Sequence, residues 1–285
     1  MNVTAAKKFF QNKIRLIPAF LCMAMVTAVI FTECNANRES RLENGPAWFG
    51  RESKAFAARA LALKKAVSHV GDDTLSVEQA REALRKCRLQ YKRIAFFMEY
   101  FFPEEAMICN GPPQSEVEDA GQEYRDPAGL QVIEGLLYSG NPVDQREQME
   151  IQADLLARSV DNILPLLGNF HVNDRELLAS LDMELVRIIT LYITGYDAPL
   201  LKSGIAEAYV ALSAIDSSLA PYFESPAQKD SIEYYLSAGR QYLQKHPDFD
   251  AFNRLFFITG YALPVQEYLN RLVNAAAGEQ TVLPV

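Results

Sequence analysis

Residues 76–103 read SVEQAREALRKCRLQYKRIAFFMEYFFP, and Leu84, Cys87, Tyr91, Ile94, Met98 and Phe101 recur at steps of three and four. Side chains so spaced share one face of an α-helix, because successive turns bring them into register. Ser76 followed by Gln79 has the spacing of a capping box, and Pro103 cannot continue a helix, so both ends of the element are marked. The same period runs through nearly all of the chain beyond residue 36. It predicts helices over 46–70, 143–167, 174–196, 201–219 and 230–245, with Gly71 ending the first and Asn173 with Glu176 capping the third. The stretch DAFNRLFFITGYALPVQEYLNRLVNA, residues 250–275, reads as two helical pieces broken at Gly260 and Pro264. No alternating pattern with a hairpin turn interrupts them. The expected fold class is therefore all-α, with enough helices for two packed bundles that share a core.

Residues 126–138, DPAGLQVIEGLLY, are the exception to simple amphipathic patterning. Asp126 is a suitable N-cap and Pro127 a suitable first residue, so a helix is expected to begin there. Leu130, Val132, Ile133, Leu136 and Leu137 surround most of its circumference, as in a helix buried on most sides. Gln131, Glu134 and Tyr138 then form one narrow polar stripe. A buried carboxylate is expensive unless it is paired, hydrogen-bonded or bound to a cation, so Glu134 implies a partner. Gly129 and Gly135 each weaken a helix, which is tolerated best at a close helix crossing. A second carboxylate, Glu99, stands among large apolar side chains in FFMEYFFPEE. Were Glu99 and Glu134 to meet, a cation or a shared proton would have to lie between them.

Composition limits what the chain can do. The 285 residues are 49% hydrophobic and 22% charged, enough apolar material for one large domain or two small ones. A net charge of −8, with no compact Lys/Arg cluster after residue 93, argues against nucleic-acid binding. Residues 1–36 have the layout of a secretory signal: Lys7, Lys8, Lys13 and Arg15 precede an apolar run from Ile17 to Phe31, and Cys34 and Ala36 supply small residues for cleavage. The run is about 15 residues against the roughly 20 a membrane-spanning helix needs, so cleavage is favoured over a permanent anchor, and lipid attachment at Cys34 is the other alternative. The mature region is then 37–276, followed by a tail from 277 to 285 without periodic pattern, expected to be flexible. Export to the periplasm would permit a disulfide, but the predicted helix carries the chain far from Cys87 before Cys109 is reached, and two buried free thiols are favoured.

Residues 104–125, EEAMICNGPPQSEVEDAGQEYR, form the longest irregular stretch. No zinc-protease H-E-x-x-H, nucleophile-elbow G-x-S-x-G or phosphate loop is present, and no C-x-x-C-H attaches a covalent haem. His69, His171 and His246 stand near helix ends or in a loop, where capping or solvation is their ordinary role.

The segment G-L-Q-V-I-E, Gly129 to Glu134, resembles the G-x-H-x-x-E motif of imelysin-like proteins. Those are exported bacterial proteins of two helical bundles, linked to the uptake of iron or other metals. The series L-x-x-x-Y-K-R-x-x-F-F-M-E-Y-F-F-P, C-N-G-P-P, D-P-A-G-L-Q-V-I-E-G-L-L-Y and F-N-R-L-F-F-I-T-G-Y-A-L-P is similar to the helical region ahead of the haem domains in certain cytochrome-c-peroxidase-like proteins of Bacteroidetes. The likeness runs from Leu84 to Leu272. It implies a non-catalytic domain that binds a metal such as iron, or another ligand, through Glu134, Gln131 and Glu99, supported by Asp126, Gly129 and Tyr138. It also implies an accessory role beside a c-type cytochrome or peroxidase-like partner. Gln131 stands where the family has histidine, and an amide oxygen is a weaker ligand suited to harder cations. A purely structural network, in which Gln131 and Glu134 hydrogen-bond to each other's neighbours and fix a helix crossing, is the alternative to an ion or ligand site and is favoured over it. Metallopeptidase activity, sometimes assigned to the family, would need a metal with an open position and a general base, and the sequence offers Glu134 without a nearby histidine.

Overall fold

A computed structural model describes residues 46–112, 126–222 and 226–279, so the expected signal segment, with its candidate cleavage and lipidation positions, lies outside the described residues. The described chain is all-helical. Helix α1 covers 46–68, followed by α2 (Thr74–Phe101), α3 (Pro103–Asn110), α4 (Leu130–Leu137), α5 (Arg146–Ile163), α6 (Asp174–Arg187), α7 (Gly204–Leu219), α8 (Pro226–Lys245), α9 (Arg254–Phe257) and α10 (Leu263–Glu279). Helix α2 is the axis of the packing. It touches α3 and α4, which both rest on α5, and it touches α6 and α7, which in turn carry α10 and α8. No helix among the described residues is long and apolar enough to cross a membrane.

The predicted face of α2 is the buried one: Leu84, Cys87, Tyr91, Ile94 and Met98 are inaccessible, and Phe101 is partly buried. Its FFMEYFF end forms an aromatic knot, with Phe97 stacked on Phe49 of α1 at 4.3 Å and set edge-on to Phe170 at 5.9 Å. Burying each such ring contributes roughly 1.5–3 kcal/mol, which fixes α1 and the chain after α5 against α2.

Several helix ends differ from expectation, each for a local reason. The N-cap of α2 is Asp73, whose carboxylate accepts from the Ser76 amide at 2.8 Å, while the Ser76 hydroxyl is used by the Gly71 amide. Pro103 ends α2 but also opens α3, because a first-turn position makes no demand on its missing N–H. Asp126 is exposed and does not cap α4, which starts at Leu130 after Gly129 turns the chain at φ 90°. The last segment is not broken at Gly260 or Pro264: a π turn over Ile258–Ala262 joins α9 to α10. There the Leu263 amide bonds five residues back to the Ile258 carbonyl, a local widening that accommodates the following proline. A second π turn, Ile188–Tyr192, extends α6. Helix α10 continues to Glu279, and 280–285 lie outside the described residues.

The capping box of α6 is formed as read: the Asn173 side chain accepts from the Glu176 amide at 2.9 Å and the Glu176 carboxylate accepts from the Asn173 amide at 3.2 Å. Asn173→Ala is expected to lower stability by about 1 kcal/mol, measured as a shift in the urea midpoint at constant slope. An unchanged midpoint would mean that tertiary packing alone holds this end.

Candidate functional site

Glu134 finds hydrogen-bond partners for one of its two carboxyl oxygens. Its Oε1 accepts the amides of Leu200 and Leu201 at 2.7 and 2.8 Å, and its Oε2 faces Arg88 Nη1 at 3.6 Å. Arg88 and Lys92 lie one turn apart on α2 and are completely buried. Arg88 grips Glu207 of α7 with Nε and Nη2, at 2.7 and 3.1 Å from the two carboxylate oxygens. Lys92 donates to Asp197 at 2.5 Å, lies 3.6 Å from Glu207, and stands 3.8 Å over the Tyr192 ring. The Ser203 hydroxyl donates to Glu207, and the Asn110 amide to Asp197 at 3.0 Å. Gln131 turns its amide nitrogen to the Asn110 carbonyl at 3.3 Å and to Asp197 at 3.4 Å. Helices α2, α3, α4 and α7 and the 193–203 loop thus meet around one buried ionic network.

A second group adjoins it through Lys92 and Tyr192. The Tyr192 hydroxyl donates to Glu184 Oε1 at 2.9 Å, Arg187 Nη1 lies 3.6 Å from Glu184 Oε2, and the Tyr91 hydroxyl donates to Glu99 at 2.7 Å. Glu99 therefore belongs here, while Glu134 answers to Arg88 and the 200–201 amides. The two carboxyls have different partners. Tyr138 sits at the edge of α4 under the Arg81 guanidinium, 4.0 Å from its ring centre.

Burial pushes the Glu207 carboxyl up, but Arg88 and Lys92 more than reverse this and hold it at about 2. Burial pushes Glu134 up, and neither Arg88 nor the two amides fully offset it. Glu184 rises to about 7 because burial outweighs Arg187, Lys92 and Tyr192. Burial likewise drives the Cys109 thiol to about 12 and Cys87 higher still, and both remain free buried thiols as expected. Neither has the thiolate character of a reactive cysteine.

Gly129 marks a real close approach, since a Cβ there would lie 2.2 Å from the Cys109 carbonyl oxygen, and its amide donates to Gln152 at 2.8 Å. Gly135 does not: it is exposed and faces open space. His69 and His246 place Nδ1 2.7 and 2.9 Å from the carbonyls four residues earlier, as helix-end side chains do.

An ion at Gln131 and Glu134 would lie against the Arg88 guanidinium, so these residues do not fit the iron site that the imelysin resemblance implies. Among the described residues no group of three or more His, Cys, Asp or Glu side chains is placed to hold a metal ion. No protein-family model and no curated protein matches the chain.

Arg88, Lys92, Glu184, Asp197 and Glu207 were not singled out from the sequence. Arg88 and Lys92 are four and eight residues beyond Leu84, on its face of the helix, and Glu207 precedes Ala211 by one turn. Charged residues inside an apolar stripe were the available signal. Asp197 sits in a loop and had none.

Proposed function

We propose that this chain is an exported, non-catalytic helical domain of the cell envelope that works by docking to a protein partner, with α2 shared between two imelysin-like bundles. The partner class implied by the resemblance is a c-type cytochrome or a peroxidase-like protein. The observation that carries the docking reading is the surface around α9. Leu255 is 71% exposed and Phe256 49% exposed. Tyr196 and Leu200 are also exposed, in the loop that Arg254 ties to α9 by donating to the Ile193 carbonyl at 2.6 Å. Contact surfaces are rich in exposed aliphatic and aromatic side chains of this kind. The ionisable residues around Glu134, by contrast, are engaged with one another inside the fold.

The test is co-purification from a periplasmic and membrane extract, with wild type and the L255D/F256D variant as baits. A haem-staining partner should be retained by wild type and lost by the variant. Because Phe256 also packs on Tyr242 and Tyr261, the L255D single variant, changing the more exposed side chain, should show the same loss with little change in melting temperature. Equal recovery with both baits, or none with wild type, would remove this reading. Stabilisation by added iron, zinc, calcium or manganese that disappears in Glu134→Ala would instead favour metal binding.

A further inference from the structure

The charges of the buried network do not balance. Arg88 and Lys92 are its fully buried cations, whereas Glu134, Glu184, Asp197 and Glu207 are its buried carboxylates. The flanking, partly exposed Glu99 and Arg187 add one charge of each sign. Two carboxylates are therefore in excess, in an interior where an uncompensated charge costs several kcal/mol.

Hydrogen bonding identifies the two. Both Glu207 oxygens take guanidinium nitrogens, and both Asp197 oxygens take donors from Lys92, Asn110 and Gln131. These two carboxylates match the two buried cations. Glu134 Oε2 and Glu184 Oε2 each have no hydrogen-bond partner, and neither does the guanidinium nitrogen facing each of them, Arg88 Nη1 or Arg187 Nη1. An ionised pair in a dry interior closes to about 2.7–2.9 Å, as Arg88 and Glu207 do, yet both of these stay at 3.6 Å.

We propose that the folded domain binds two protons within this network, one on Glu134 and one on Glu184, and that it is consequently an acid-stabilised core. The charged and titratable neighbours act in both directions, the cations favouring the ionised carboxyls and burial with the nearby carboxylates favouring the protonated ones. For Glu134 they are Arg88 on α2, Glu207 on α7 and Tyr138 on its own helix. For Glu184 they are Lys92 and Glu99 on α2, Arg187 on α6 and Tyr192 in the π turn. Helix α10, packed on α6, brings Glu267 and Arg271, 3.9 Å apart, and Tyr268 beneath Arg271. Helix α5, packed on α4, brings Asp154, which is engaged by Lys64 and Arg158.

The sign follows from linkage. Glu184 titrates near 4.5 when unfolded and at about 7 when folded, so between those values the folded state holds a proton that the unfolded state has lost. Stability must rise as pH falls through that window and be lost as pH rises through 7. Glu134 shifts in the same direction and adds to the effect. Glu207 opposes it only as pH falls from 4.5 towards about 2.

The full chain should therefore melt higher at pH 5 than at pH 8, by roughly 5–10 °C. E184Q and E134Q should each flatten this dependence by raising the melting temperature at pH 8, and the double variant should nearly abolish it. Infrared difference spectra of wild type between pH 5 and pH 8 provide a readout independent of any variant and should show buried protonated-carboxyl bands, each lost in the matching glutamine variant that folds. A melting temperature that is flat or falls between pH 8 and pH 5, or the absence of buried protonated carboxyls in wild type, would overturn the proposal. A stoichiometric metal ion in the purified protein, whose removal by chelator changes the pH profile, would overturn it too by identifying a different counter-charge.

Discussion

Replacing Arg88 by methionine is expected to destabilise the protein by about 3–5 kcal/mol, among the largest effects of any single substitution in the fold. Methionine fills the volume of the Arg88 stem, so the loss is electrostatic rather than a cavity. It leaves Glu207, in the interior, without either of its guanidinium bonds. Lys92, 3.6 Å from Glu207, can answer only part of that charge because it already bonds Asp197. For a chain of this size the melting temperature should drop on the order of 10 °C.

The contrast with R88M/E207L decides whether the network acts as a unit. Removing both charges of a buried pair in favour of apolar side chains is often close to neutral, whereas removing one is not. The double variant should therefore recover much of the loss, with a coupling energy of about 2 kcal/mol in a double-mutant cycle. Strictly additive losses would show that Arg88 and Glu207 stabilise the fold independently and that their contact carries little. A cost under 1 kcal/mol for R88M alone would show that water reaches the site.

How much of this was legible in the sequence depends on whether the signal lay in side-chain spacing or in the backbone. The α2 face, from Leu84 to Met98, was legible because burial of one helical stripe is a direct consequence of its period. The Asn173–Glu176 box was legible because its chemistry is a fixed spacing of two side chains. The π turns were not, since one residue wound into a helix leaves no compositional mark. Nor was the start of α4, which is set by Gly129 in a left-handed conformation rather than by the Asp126–Pro127 pair that precedes it. At the site, the burial cost of Glu134 correctly required a partner, but Glu99 was the wrong neighbour. The answering charge sat on α2 itself, at Arg88, about three turns before Glu99. Asp197, beyond the π turn, is joined to Lys92 only by tertiary packing, which no local pattern encodes.

Gly129→Ala and Gly135→Ala, six residues apart at the start and in the body of α4, should move stability in opposite directions. Gly129 has φ 90°, a region that costs an L-residue about 1–3 kcal/mol. A methyl group there would also lie 2.2 Å from the Cys109 carbonyl oxygen and 2.5 Å from that of Ile108, both backbone atoms that cannot swing aside. The α3 end must therefore move away, stretching the Asn110–Gly129 bridge and the Gly129 bond to Gln152. With a further 1–3 kcal/mol for overpacking, the expected loss is about 2–6 kcal/mol. Asn110 is the residue that brings α3 to Asp197, so the displacement should also loosen the ionic network. Hydrogen exchange at the Leu200 and Leu201 amides, which bond Glu134, should report that loosening as lost protection. Gly135 is exposed, helical, and would place its methyl group in open space, so alanine there should stabilise by roughly 1 kcal/mol through helix propensity alone. If both substitutions prove neutral, α3 yields freely and does not fix the position of Asn110. If Gly135→Ala is the damaging one, that side of α4 is covered by a partner in the working protein.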